Sequence, residues 1–111
     1  MRYNFEGGKY VWALFIGHLL VEKLLKALCA RTMGKEVPKT HNLVRLAELA
    51  GIEMQPEQRE NLARLTLFNV HTRYPDWQRQ FGRSLTGDYT EAQMKIVGEM
   101  KEWLLRMLLQ P

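Results

Sequence analysis

His18-Leu19-Leu20-Val21-Glu22-Lys23-Leu24-Leu25-Lys26-Ala27-Leu28 lies at the centre of a run from Lys9 to about Met33 made of helix formers without proline, with Gly34 placed as a C-terminal stop. At about 100° per residue, His18, Glu22, Lys26 and Lys23 fall at about 0°, 40°, 80° and 140°. Trp12, Phe15, Leu19, Leu20, Leu24, Leu25 and Leu28 occupy the rest of the circumference. A helix with so narrow a polar wedge needs neighbours on two or three sides. It is the central helix of a bundle or part of a subunit interface.

Outward from this helix, Lys35 to Lys39 with Pro38 reads as a connection, and Thr40 is placed to cap a short helix from His41 through Leu43, Leu46, Ala47 and Leu49 to Gly51. Pro56 opens a third helix at the position where a missing N–H costs nothing, and Leu62, Leu65, Phe68 and Val70 carry it at helical spacing to near Thr72. Thr90-Glu91-Ala92-Gln93 has the capping-box form and starts a last helix through Met94, Val97, Met100, Leu104 and Met107. No segment reads as strand, so the fold class is all-α.

The 111 residues, 46% hydrophobic and 25% charged, make one globular domain spanning 1–111. The apolar run from Val11 to Ile16 is closed by Gly17-His18 and then by charges, too short to span a membrane, and the segment after it lacks the look of a leader cleavage site. Cys29 is the only cysteine, which excludes an internal disulfide and a cysteine-based zinc site and fits a cytoplasmic protein. A buried apolar role is the simplest one for it.

The net charge of +4 mildly favours an anionic partner. Most of it is local: Arg59, Arg64, Arg73, Arg79 and Arg83 face only Glu60 and Asp76 within the window 59–83. Phe68, Tyr74, Trp77 and Phe81 are interleaved with those arginines. That composition binds phosphates while stacking on bases; equally, it forms a solvated loop whose aromatics fold back on the bundle. The 17 residues from Arg73 to Tyr89, with Pro75, Gly82 and Gly87, are longer than a bundle normally spends on a connection, and long ordered loops are often functional.

The helix 18–28, with its Glu22-Lys23-x-x-Lys26-Ala27 core, resembles a helix of the HEPN domain family. Thr40-His41-Asn42-Leu43 and Arg73-Tyr74-Pro75-Asp76 support the match in the family's order, from about Gly8 to Leu109. The resemblance implies an antiparallel, up-and-down bundle of four to five helices that forms a homodimer. It implies a minimal nucleotidyltransferase as protein partner, often in a toxin–antitoxin pair, and a nucleotide or RNA as ligand. Many members are metal-independent ribonucleases that use an arginine and a histidine four to six residues apart, contributed by both subunits. Histidine can move the proton of a ribose 2′-hydroxyl while arginine stabilises the developing phosphorane-like charge.

Arg64 and His71, with six residues between them, match the outer limit of that spacing and are the candidate catalytic pair. Two features depart from the pattern: Tyr74 stands three residues after His71 where the family expects two, and Leu65 stands where asparagine usually follows the arginine. The same surface can therefore serve a non-catalytic binding subunit, or the chain can be a structural adaptor. Arg73, Tyr74, Arg79, Lys23 and Lys26 are the candidate nucleotide- or RNA-binding residues; the lysines equally suit a solvated helix face.

His18 and Glu22 could form half a metal site, but no second pair has ligand spacing, so a local polar contact is expected, with no metal and no cofactor. Arg73 and Asp76 could shape the loop by a local ion pair, with Pro75 holding Tyr74 extended. Only Met1 to Gly8 precede the first helix, so the additional helix usual in the family is expected to be absent or a stub. The first helix then lacks one neighbour, and a second copy or a partner supplies the wall.

Overall fold

The computed structural model describes residues 2–34, 37–73 and 86–110, with the side chains of 2–9, 11 and 69–73 excluded. Four helices are present among the described residues: α1 Arg2–Met33, α2 Leu43–Leu49, α3 Pro56–Arg73 and α4 Gly87–Leu109. No strand occurs among them. Residues 2–8, expected as a stub before the first helix, are helical and continuous with α1.

Local chemistry sets the ends. Gly34 terminates α1 with φ +64°, a conformation that costs a side-chain-bearing residue energy. Pro56 is the first residue of α3, as its fixed φ favours. α2 is capped by Asn42 rather than Thr40: the Asn42 side chain accepts from the Arg45 N–H at 3.1 Å, while Thr40 Oγ1 accepts from the Asn42 N–H at 3.2 Å. Thr40 thus shapes the turn that presents the cap. At its other end Gly51, φ +73°, gives its N–H to Glu48 O and Ile52 gives its N–H to Ala47 O, the paired closure of a Schellman motif.

α4 begins before Thr90. Thr86 is the cap, its hydroxyl accepting from the Tyr89 N–H at 3.0 Å, and Asp88 adds a negative charge to the first turn. Thr90 already donates its own N–H to Thr86 O and is 5% exposed, so it lies inside the helix. The letters at 90–93 have the box pattern, but Thr86 captures the chain first.

Leu14, Val21, Leu25 and Leu28 of α1 meet Leu43, Leu46 and Ala47 of α2, Leu62, Leu65 and Phe68 of α3, and Val97, Met100 and Leu104 of α4 in one core. All three later helices pack on α1, and α2 also rests on α3. The directions follow from pairs of contacts. His41 lies beside Glu22, Leu46 O beside Cys29 and Ala50 O beside Thr32, so α2 runs in the same sense as α1. Leu43 meets Thr66 and Glu48 meets Arg59, so α3 runs against α2. Gly87 lies at Tyr10, Val97 at Gly17 and Leu108 O at Arg31, so α4 again follows α1. Among the described helices only α3 reverses; α2 departs from the expected alternation because the chain returns after Met33 to the level of Glu22 before α2 starts.

Arg31 clasps the end of α4. Its guanidinium donates to Met107 O at 2.8 Å and to Leu108 O and Gln110 O at 3.0 Å, charge-assisted bonds that satisfy carbonyls left over at a helix C-terminus. α1 and α4 approach closely at Gly17, where a Cβ would stand 3.1 and 3.3 Å from the two methyls of Val97. Valine is stiff about χ1 and cannot turn away. Gly17→Ala is therefore expected to lower stability by about 1 kcal/mol despite its better helix propensity, whereas Gly98→Ala, whose Cβ meets nothing within 4 Å, is expected to raise it by about 0.5–1 kcal/mol. Thermal melts of the two variants should move in opposite directions by roughly 4 °C. Equal shifts of one sign would show that the approach is not tight.

The His18–Glu22 edge of the polar wedge of α1 faces inward, Lys26 is partly covered and Lys23 is exposed. His18 is 0% exposed and Glu22 is 6% exposed, under the start of α2. The apolar arc is divided instead: Leu14, Val21, Leu25 and Leu28 are buried, while Trp12, Ile16 and Leu20 on the opposite side are 56%, 60% and 38% exposed. A helix buries its polar side only where every charge finds a partner, and the chain supplies one here.

Candidate functional site

Glu22 is the centre of a seam between α1 and α2. His41 Nδ1 lies 3.0 and 3.1 Å from its two oxygens, so the ring nitrogen carries a proton and donates to the carboxylate. Lys26 Nζ is 3.2 Å from Glu22 Oε2, one helical turn along. His18 Nε2 donates to the carbonyl of His41 at 3.2 Å and stands 3.7 Å from Glu22 Oε1. Burial pushes the Glu22 carboxyl upward, but the hydrogen bonds from His41 and Lys26, together with their charge, outweigh it and hold the group below its ordinary value.

Each residue of Thr40-His41-Asn42-Leu43 has a defined contact. Thr40 orients the cap, His41 engages Glu22 and His18, and Asn42 caps α2. Leu43 is fully buried and gives its N–H to Thr66 Oγ1 at 3.1 Å, while that hydroxyl donates to Leu62 O at 2.9 Å. The seam thereby reaches α3. Cys29 is buried beside it and donates to Leu46 O at 3.2 Å; burial raises its thiol pKa, with Lys26 opposing.

Arg64, of the candidate catalytic pair, is on α3 with Nη2 3.0 Å from Glu60 Oε1, in a partly exposed i,i+4 ion pair. His71 follows two turns later on the same unbroken helix, a rise of about 10.5 Å, its side chain outside the described residues. Arg73 ends that helix, likewise with its side chain outside the described residues. Tyr74 and Arg79 fall outside them altogether, as does the Arg73–Asp76 pair. Lys23 and Lys26 are separated in role: Lys26 is bound to Glu22, and Lys23 is exposed on the outer face of α1. Arg59, another member of the basic window, lies 3.3 Å from Glu48.

A half-open groove of about 240 Å³ between α3 and α4 is lined by Glu57, Asn61, Glu99, Trp103 and Arg106 among others, and Arg64, Lys23 and Lys26 are not part of its wall. Among the described residues, no group of three or more His, Cys, Asp or Glu is arranged to hold a metal ion. Among them, too, no helix is long and apolar enough to cross a membrane.

The seam, the short second helix clamped between its neighbours, and the ion-paired surface of α3 define a small all-α bundle protein. The HEPN domain family model matches residues 1–108, and the chain belongs to that family. Comparisons with curated proteins and with solved structures return no match.

His41 was legible as part of a helix start and Glu22 as part of a polar face, but their union was not. The sequence sign of it is a buried-type helix carrying His18 and Glu22 on one side, where Lys26 at i+4 satisfies one oxygen of Glu22 and leaves the other to a residue from elsewhere in the chain.

Proposed function

We propose that this HEPN protein is a cytoplasmic nucleotide- or RNA-binding subunit, working as a homodimer beside a minimal nucleotidyltransferase in a toxin–antitoxin pair, through its basic window 59–83. The observation that carries the reading is family membership over nearly the whole chain, combined with five arginines and four aromatic residues concentrated in one short window. Two of those arginines, Arg59 and Arg64, are paired with surface carboxylates. Such pairs are worth about 0–1 kcal/mol, so a phosphate can displace the carboxylate at little cost.

A short single-stranded RNA titrated into the purified chain should bind with an affinity that falls steeply as salt rises, and Arg64→Ala should reduce both affinity and salt slope. Binding that ignores salt, or no binding at low salt, would remove the reading. Arg73, Tyr74, Arg79, Lys23 and Lys26 are the further residues to probe.

A second reading is metal-independent cleavage by Arg64 and His71. It is favoured by their position on one unbroken helix, two turns apart on nearly the same face, and by the engagement of His18 and His41 in the Glu22 seam, which leaves the catalytic role to His71. His71→Ala should then keep the helical fold and abolish RNA cleavage. Equal cleavage by wild type and variant would end it.

A further inference from the structure

We propose that the groove between α3 and α4 binds a free basic amino acid of the lysine type, an α-amino carboxylate with a second ammonium at the end of its stem. α3 and α4 both pack on α1 and hardly touch each other, which leaves a half-open groove of about 240 Å³ between them. That is smaller than the roughly 300–1,000 Å³ of sites for drug-sized molecules and suits a single amino acid. Met100, 3% exposed, and the partly buried Trp103 supply its apolar lining.

Glu99, Trp103 and Arg106 stand at i, i+4 and i+7 on α4, so one face of one helix presents carboxylate, indole and guanidinium in that order. Glu99 and Arg106 are about 10.5 Å apart along the axis. Since α3 runs against α4, Glu57 in its first turn lies toward the Arg106 end of the groove, and Asn61 stands one turn nearer to Glu99. Among the described residues, the side chains of Glu57, Asn61, Glu99 and Arg106 take part in no hydrogen bond or ion pair. Glu48 and Glu60, elsewhere on the surface, hold arginines at 3.3 and 3.0 Å.

Two carboxylates and one guanidinium are complementary to a molecule with two ammonium groups and one carboxylate. The stem ammonium meets Glu99, the methylenes lie on Trp103, the α-carboxylate meets Arg106 and the α-ammonium meets Glu57. Asn61 can add a donor or an acceptor midway along the groove. The lining is net negative in a chain of net charge +4, so it favours a ligand with an excess of positive charge. A purely cationic ligand leaves Arg106 unpaired, and a phosphate meets two carboxylates, so both are selected against. The site is therefore distinct from the basic window 59–83 in chemistry as well as in place.

The contacts are partly open to water, so a dissociation constant of about 0.1–1 mM is expected. The probe is L-lysine titrated into the whole chain, followed by calorimetry and by the indole N–H resonance of Trp103, which Trp103→Phe distinguishes from those of Trp12 and Trp77. Three analogues each lack one charge: cadaverine the carboxylate, ε-aminocaproate the α-ammonium and norleucine the stem ammonium. Each should bind about fivefold or more weakly than lysine. Arg106→Gln should erase the preference for lysine over cadaverine, Glu57→Gln that over ε-aminocaproate and Glu99→Gln that over norleucine. All three side chains are exposed, so circular dichroism should not change. A Trp103 resonance that stays put up to about 10 mM lysine, equal binding of all four ligands, or variants that weaken every ligand alike would overturn the proposal. No nucleic acid enters the experiment, so its failure and the failure of the RNA-binding reading are separate results.

Discussion

Glu22→Gln is expected to destabilise the protein by about 2–3 kcal/mol near neutral pH and by far less once the pH has fallen through the lowered value of the folded Glu22 carboxyl. The glutamine keeps the shape and one acceptor oxygen but loses the charge and sets an NH2 donor in place of the other oxygen, so Lys26 and His41 can no longer both be satisfied. The figure is held to the lower part of the range for buried pairs because the His41 and Lys26 side chains are 45% and 29% exposed and water screens them. The direction of the pH dependence follows from the depressed carboxyl. Its charge contributes stability in full above the unfolded carboxyl value of about 4.3, and the contribution fades as pH falls through the lower value of the folded state. Urea unfolding of both proteins at pH 7 and near pH 3 measures the gap at each end. A gap of the same size at both would mean that the Glu22 charge is not what holds the seam.

Leu46→Ala is expected to cost about 3 kcal/mol, a large share of the roughly 5–15 kcal/mol available to a domain of this size. Leu46 is 0% exposed and, with Leu43 and Ala47, anchors a helix of only seven residues. Alone, such a helix does not persist, so its order comes from packing. Loss of that anchor loosens the segment that carries His41 to Glu22. The two substitutions should therefore be less than additive, and a double-mutant cycle by chemical denaturation would read the coupling. Full additivity would mean that α2 docks independently of the seam.

The helices were legible where the sequence determines them locally. Pro56 marks the start of α3, Gly34 ends α1, and the spacing of Leu62, Leu65 and Phe68 is that of the buried face. The start of α4 was misplaced because Thr86 and Thr90 both suit a cap, and local letters do not say which threonine becomes buried. The cap of α2 was displaced by two residues for the same reason, with Thr40 and Asn42 both capable acceptors. The seam was harder to foresee because it joins residues 19 positions apart through a chain return that no periodicity records. That return also accounts for the inward turn of His18 and Glu22, and for the outward turn of Trp12, Ile16 and Leu20. Of the candidate catalytic pair, the ion pair of Arg64 with Glu60 follows from i,i+4 spacing alone.

The shared direction of α1 and α4 has a consequence for anyone attaching something to this protein. Arg31, near the far end of α1, holds the last carbonyls of α4, while Tyr10, near the other end, meets its first turn. The start of α1 and the end of α4 thus stand at opposite poles, about 45 Å apart at the rise of a helix. A fluorophore or fusion carried at each would report the full length of the molecule, and joining the two ends directly would need a linker of about 13 extended residues or more.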